Sequence, residues 1–515
     1  MNHEIYLDAN ATTPVLPAAM AAAADALGGR FGNPSSSHAA GLKAKAMLDA
    51  VRARARSLLG AGAGRLMFTS GATEGIQTAV LSALCDIRAR QVRGEAVGEL
   101  LLYGATEHKA VPESLAHWNA VLGTGLALHP LPVDGAGRHR LDLLRQLAPR
   151  AAMLCTMAAN NETGVVSDLA AIETLLAECA PAALWMVDSV QALGKLRLDL
   201  AATRIDYAPF SGHKLYAPKG VGMLYVRAGA PYTALMMGGG QEAGQRSGTE
   251  NMSGIAALGA VLATLEEGAT FASPVQLAHF RDQLAGALRQ AFPAIVFNTP
   301  FQHALPTTLN FSVPGLAGKQ LLDLFDAAGI RVSSGSACSA AKAAPSYVLE
   351  AMGLPAWRSS AAVRLSFGPM ADARFIDAAC ARILRCGAAL RAADVEPPGA
   401  ILAYEPSGAP AAAFTLAPDA LADFLLAHPD ARLIDVREAV EHAVAGEHLW
   451  HGRRADNVPL ARLPQKAAEW LGGAHQPLVF FCRGGNRSAQ AAAHMHRLGY
   501  HNAWHLAGGM ALAGT

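Results

Sequence analysis

Three short segments carry side chains that could do chemistry together. Lys214 stands in Phe210-Ser211-Gly212-His213-Lys214, directly behind an apolar, strand-like run. A lysine taken out of water in such a pocket loses basicity and condenses with carbonyl groups. Lys219, in the same loop, is its local competitor. The apolar run Ala183-Leu184-Trp185-Met186-Val187 ends in Asp188, and an acid there points into the crevice where open α/β sheets take ligands. Thr69-Ser70-Gly71-Ala72-Thr73-Glu74-Gly75 lies between a strand-like and a helix-like stretch. Amides at a helix start, a glycine that permits close approach and hydroxyl groups suit a phosphate dianion. Singly, these features are a solvated amine, a helix cap and a turn. Jointly they are an imine-forming lysine, an anionic partner for a cationic ring and a phosphate cradle.

Two cysteines stand apart from the other five. The seven are odd in number and irregular in spacing, which excludes a disulfide framework and points to free thiols in a reducing cytoplasm. Cys85, Cys155, Cys179, Cys380 and Cys386 sit in apolar or helical stretches and are expected as small core residues. Cys338 instead follows Ser333-Ser334-Gly335-Ser336-Ala337, small residues that bury little and permit movement. Cys482 opens Cys482-Arg483-Gly484-Gly485-Asn486-Arg487, between an apolar strand-like run and a helix-like stretch. Such a loop can turn several amides toward one atom, and the helix dipole stabilises a thiolate or persulfide there.

These segments need a sheet to hold them. Strand-like runs at 66–68, 99–103, 151–157, 183–187, 207–210 and 221–226 alternate with helical stretches such as 74–84. That alternation predicts an α/β fold, a mainly parallel sheet with helices on both faces. Residues 393–412 are Pro-punctuated and turn-rich, as expected of a linker. Behind them, 413–515 carry helical patterns at 421–427 and 488–498 and strands at 431–436, 477–481 and 502–506, enough for a small α/β domain. Lys+Arg 42 against Asp+Glu 41 leaves a charge of +1 and no electrostatic reason for a nucleic-acid track. No apolar run approaches the ~20 residues needed to cross a bilayer. The start carries Glu4 and Asp8 where a signal peptide would be apolar, so a cytoplasmic protein without a membrane partner is expected.

The first set of parts is what a pyridoxal 5′-phosphate enzyme needs, with Lys214 for the aldehyde, Asp188 for the ring nitrogen and the 70–75 turn for the phosphate. Residues 1–390 resemble the cysteine desulfurases, fold-type I enzymes of aminotransferase class V. The resemblance runs in order through Asp8…Ala11-Thr12-Thr13-Pro14, Gly32-Asn33-Pro34-Ser35, Thr69–Gly75 and Thr106-Glu107-His108. It continues through Asn160-Asn161-Glu162-Thr163-Gly164, Asp188-Ser189-Val190-Gln191, Ser211-Gly212-His213-Lys214, Arg246-Ser247-Gly248-Thr249 and Ser333–Cys338. It implies that His108 lies over the cofactor ring and moves protons, that Asn161 and Gln191 bond the ring's phenolic oxygen and its surroundings, and that Ala72, Thr73, Ser211 and His213 contact the phosphate. Thr249 would reach the cofactor of the other subunit in a homodimer. Arg364, in Ala362-Val363-Arg364-Leu365-Ser366, would clamp the substrate carboxylate through its fork. Cys338, in a segment as long as in the long-loop members, would attack the sulfur of L-cysteine with His108 as base, leaving alanine and a persulfide. The implied division is a large subdomain of about 15–262 and a small one of about 263–392 completed by the N-terminal segment. One departure, the pair Ala9-Asn10 after Asp8, is expected to leave the core chemistry untouched.

Residues 413–515 resemble single-domain rhodaneses through Leu433-Ile434-Asp435-Val436-Arg437-Glu438, Asn457-Val458-Pro459 and Cys482–Arg487. The stretch 442–456 departs from their usual pattern. Related phosphatases place one more residue between Cys and Arg, so the loop here implies sulfur transfer, with Cys482 as acceptor and Arg487 closing the anion site. The alternatives are selenocysteine lyase or cysteine sulfinate desulfinase activity, or a rhodanese domain that only docks or regulates. An ordinary aminotransferase leaves Cys338 unexplained. Expected partners are acceptor proteins such as iron–sulfur scaffolds or thiolation enzymes.

Overall fold

The computed structural model describes residues 4–334, 345–392, 414–446, 449–450, 452–472 and 476–513; Cys338 and the expected linker lie outside them. The apolar runs form a seven-stranded sheet ordered Arg65–Thr69, Gly222–Val226, Tyr207–Ser211, Leu184–Asp188, Ala151–Met157, Leu100–Gly104, Ala127–Leu131. Gly222–Val226 alone runs antiparallel to its neighbours. The period-two alternation of strands serves two cores. Leu66, Phe68, Leu154, Trp185 and Val187 pack on one face with Ile255, Leu258 and Leu262 of the helix Met252–Glu267. Met67, Leu101, Met153, Cys155 and Met186 pack on the other with Ile76, Val80 and Leu84 of the helix Ala72–Val92.

A second unit follows. Val363–Ser366, Thr308–Ser312 and Val296–Phe297 form an antiparallel sheet, and Ile5–Tyr6 pairs in parallel with Ile330–Arg331. The N-terminal segment is thereby stitched to this unit, and its continuation reaches the large sheet where Thr13 N donates to His213 O (2.9 Å). None of the antiparallel strands is foreshadowed by the alternation that reveals the large sheet.

The C-terminal unit holds six strands, ordered Thr415–Leu416, Ala503–Leu506, Leu478–Phe481, Arg432–Asp435, Arg453–Asn457, Leu449–Trp450, parallel except at the last pair. Three of these strands match the sequence expectation. Two others fill the atypical stretch after His442, where the helix Ala439–Ala445 precedes them. Buried Asp435 accepts from Arg437 Nε (2.9 Å) and is paired with His442 Nδ1 (2.8 Å). Burial alone would raise its pKa, but these hydrogen bonds hold the carboxyl down at about 2. Cys155 and Cys386 are buried core thiols as expected; Cys85, Cys179 and Cys380 are only partly buried. Among the described residues, no helix is long and apolar enough to cross a membrane, and no group of three or more His, Cys, Asp or Glu side chains is placed to hold a metal.

Candidate active site and persulfide loop

Five strands of the large sheet end on one edge, and each delivers part of the site just past its last residue. Ser70 follows Arg65–Thr69, His108 follows Leu100–Gly104, Asn161 follows Ala151–Met157, Asp188 closes Leu184–Asp188, and Lys214 follows Tyr207–Ser211. This is where open α/β sheets bind ligands. They line one cavity of about 540 Å³, which Asn10 and Arg364 complete from the N-terminal segment and the second unit.

Lys214 Nζ donates to the carbonyls of Asn10 (2.6 Å) and Ala11 (2.9 Å). The turn that aims it is built tightly: Tyr216, just beyond, adopts φ +59°, and its N–H donates to Thr13 Oγ1 at 2.6 Å. Asp188 is buried and accepts from Val190 N (3.0 Å). Burial raises its pKa, opposed by that N–H and by His108 and Lys214. A cation at the same point would restore the ionised form. Burial lowers His108, with Asp188 acting in the opposite sense, and its Nδ1 accepts from Ala110 N (3.2 Å). A neutral imidazole beside a buried acid is equipped to take and return a proton. His213 Nδ1 contacts Thr12 Oγ1 at 3.1 Å, and burial with Lys214 and Lys219 nearby holds it down at about 4, so it is neutral near pH 7.

The phosphate cradle has the required form. Ala72 and Thr73 open a 21-residue helix whose N-cap, Gly71, makes no side-chain capping bond, leaving amides to face an anion. A Cβ on Gly222 would lie 2.7 Å from Gly71 Cα, so glycine there lets the cradle close on the neighbouring strand. Glu74 also lines the cavity and its Oε2 accepts from Ser70 N (2.7 Å) at the edge of the cradle. Burial would raise this carboxyl, but bonds from Arg246 and Ser70 pull it lower. A lysine, a buried acid, a proton-shuttling histidine and an uncapped helix start in one cavity therefore fit pyridoxal phosphate.

Arg364 is 2% exposed and already held, with Nη2 on Asp8 Oδ1 (2.5 Å) and Nη1 on the Asn161 carbonyl (3.0 Å). Asp8 thus orients the guanidinium that was expected to meet a carboxylate. Thr249 is exposed and is not part of the cavity wall. Lys219 is exposed at the rim.

Asn10, noted in the sequence only as part of a departure after Asp8, is a hub of hydrogen bonds at the site. Besides Lys214, its carbonyl accepts from Gln191 Nε2 (3.2 Å), and its amide donates to the Asn161 carbonyl (3.1 Å) and Thr308 Oγ1 (2.9 Å). Lys195, absent from the sequence expectations, donates to Gln191 Oε1 (2.7 Å) and Asn10 Oδ1 (3.3 Å). By claiming both amide oxygens it turns both NH₂ groups toward their acceptors. Burial, then Lys214 and Arg364, lower its pKa to about 7. Lys195→Met is expected to remove an ionisation near pH 7 from the pH profile of activity. It should also weaken cofactor retention about tenfold, the loss of one charge-assisted bond of about 1.5 kcal/mol. A titration of cofactor against the variant and an unchanged pH profile would together refute this.

In the C-terminal unit, Cys482 is 2% exposed and its Sγ accepts from Gly485 N at 3.2 Å. Gly485 takes φ +91° as the N-cap of Asn486–Arg497, the left-handed turn that lets the loop curl onto the sulfur. Ser488 Oγ lies 3.7 Å from Sγ. Arg487 points both η nitrogens at Glu441 (2.6 and 2.8 Å), a buried partner that sequence reasoning missed.

Fold and site define an α/β enzyme of the pyridoxal-phosphate type, joined to a C-terminal unit whose loop curls onto the buried Cys482. The aminotransferase class-V family model matches residues 5–378 and the rhodanese-like domain model residues 417–512. A cysteine desulfurase of Gluconacetobacter diazotrophicus is 40% identical over 366 residues, 70% of this chain and 88% of the relative. Among solved structures, a NifS-like protein superposes with a TM-score of 0.65 at 30% identity, covering 74% of this chain and 98% of its own. SspA in complex with cysteine gives 0.61 at 26% identity, covering 71% and 99%. The chain belongs to the aminotransferase class-V family, on its cysteine desulfurase branch, with a rhodanese-like domain fused behind it. Its cofactor is pyridoxal 5′-phosphate.

Proposed function

We propose that this enzyme converts L-cysteine to L-alanine and passes the sulfur through Cys338 to Cys482 or to external acceptor proteins. The supporting observation is the convergence of Lys214, Asp188, His108 and Arg364 on one cavity. When bound, pyridoxal phosphate supplies the electron withdrawal that makes the substrate's Cβ–S bond labile. Lys214 holds the cofactor, Asp188 pairs with its ring nitrogen, and the amides at Ala72 and Thr73, with Ser211 and His213, hold its phosphate. Gln191 and Asn161 bond its oxygen side. Arg364, oriented by Asp8, takes the substrate carboxylate. The Cys338 thiolate attacks the substrate sulfur: an S–S bond forms, the Cβ–S bond breaks, and Cβ takes a proton to become alanine. His108 carries protons between these atoms. The Cys482 thiolate then attacks the outer sulfur and Cys338 leaves as thiolate. The exposed Thr249 reaches a second subunit, making the working form a homodimer. Residues 393–412 serve as the linker between the two catalytic units, in a cytoplasmic protein.

The test is product balance. Purified enzyme given L-cysteine should release alanine and reducible sulfur in equal amounts; a keto acid product without sulfur release would overturn the proposal.

A further inference from the structure

A second charged cluster lies where the two parts of the chain meet. Its apolar base is the helix Ala439–Ala445 of the rhodanese-like domain. Val444 is buried in the core of the second unit with Leu321, Leu324 and Phe325, and Val440 packs against the same core. Beside this base, Arg483 of the persulfide loop reaches the helix Gly318–Ala327: Nη1 lies 3.2 Å from Asp323 Oδ1 and Nε 2.8 Å from Asp326 Oδ2.

Arg483 directly follows Cys482, so its charge belongs to the mouth of the anion loop. In this arrangement two carboxylates from the other part of the chain hold it. The docking helix also carries Glu441, which occupies Arg487 at the far end of the loop. Arg487 is thus held within its own domain, and Arg483 alone is held across the contact while the domain is seated. Asp323 and Asp326 are also paired with Lys319 and Arg331, so the competition is for Arg483 itself: an anion entering toward Cys482 gains nothing from it until that side chain is released.

We propose that the helix Gly318–Ala327 is an intramolecular dock for the rhodanese-like domain, in which Asp323 and Asp326 hold Arg483 in place of an anionic sulfur species, so that docking and anion capture at Cys482 oppose one another. By linkage, an anion on the loop loosens the dock by the factor by which the dock weakens the anion. The dock is a seated state from which the domain must lift to take or give charged sulfur. This inference rests on the proposed anion-binding role of the Cys482 loop.

The test compares an anionic and a neutral thiol reagent on the full chain. Cys482 is alkylated with iodoacetate or iodoacetamide, and its peptide is quantified by mass spectrometry in wild type, Asp323→Asn/Asp326→Asn and Val440→Glu. Turnover of L-cysteine to alanine serves as the fold control, since none of these residues lines the catalytic cavity. The double variant should raise the iodoacetate rate roughly threefold to tenfold, the weight of two partly exposed ion pairs, and leave the iodoacetamide rate within about twofold. Val440→Glu, which unseats the apolar base without touching the carboxylates, should raise the iodoacetate rate likewise. Unchanged rates in both variants, or equal increases for both reagents, would overturn the charge competition. Failure of labelled sulfur to reach Cys482 in wild type would instead refute the transfer role, and it is read independently of alkylation.

Discussion

Replacing Lys214 with alanine is expected to lower alanine formation by at least ~10³-fold, the scale seen when a covalent catalytic group is removed. It should also abolish every borohydride-stable attachment of cofactor to the protein. The cavity explains why no other amine takes over. Lys214 Nζ is placed among the polar groups of the N-terminal segment, on the carbonyls of Asn10 and Ala11. Lys219 lies exposed at the rim, and Lys195 is committed to two amide oxygens. The uncapped helix start and Asp188 remain in the variant, so cofactor should still bind, but without a covalent bond. Mass spectrometry after borohydride reduction decides the matter. An adduct surviving on Lys219 would show that the lysine assignment is wrong.

The parts of the site carried by one strand and the loop behind it were legible in the sequence. Asp188 ends an apolar run, and Lys214, the Ser70–Gly75 turn and Cys482 follow others; a buried strand with a polar residue at its carboxyl end announces itself locally. The residues that set these groups in place were not legible. Asn10 meets Lys214 across 204 residues of chain and Arg364 meets Asp8 across 356. No local pattern encodes such pairs. Lys195 reads as an ordinary surface lysine until the fold turns it inward onto Gln191. Glu441 is hidden for a different reason: it stands just before the stretch where the rhodanese pattern lapses, on a helix that runs into it. The antiparallel sheet of the second unit was missed because its strands are only two to five residues long; Thr308–Ser312 and Val363–Ser366 do alternate polar and apolar side chains, but over runs too short to stand out, and their polar residues are buried rather than solvated.

Those long-range pairs also say what the site protects. Asp8, Asn10 and Lys195 touch the groups that would touch cofactor and substrate, and each fixes an orientation: a guanidinium fork, a lysine amine, a carboxamide. The N-terminal segment that carries Asp8 and Asn10 pairs with Ile330–Arg331 of the second unit and crosses to the large sheet through Thr13. Relative movement of the two units would therefore disturb Lys214 and Arg364 together.

The relay between the two thiols gives the second large effect. Cys338→Ala is expected to remove cysteine-derived sulfur from both Cys338 and Cys482, whereas Cys482→Ala should spare the Cys338 persulfide and leave the rhodanese-like domain unlabelled. The reason is chemical order: only Cys338 is proposed to meet the substrate sulfur, and Cys482 takes what it carries. An ideal chain of about 20 residues has an end-to-end spread of about 25 Å. Tethering of that length raises the local concentration of acceptor toward the millimolar range when contact is possible. The Val444 contact and the Arg483 ion pairs seat the domain beside the second unit, and by the proposed competition it is from this seat that the domain lifts to take sulfur. The measurement is to feed ³⁵S-cysteine, digest without reductant and assign the label by peptide. Label on the Cys482 peptide of the Cys338→Ala variant would sink the relay, because sulfur would then be reaching the rhodanese-like domain by a route that bypasses Cys338.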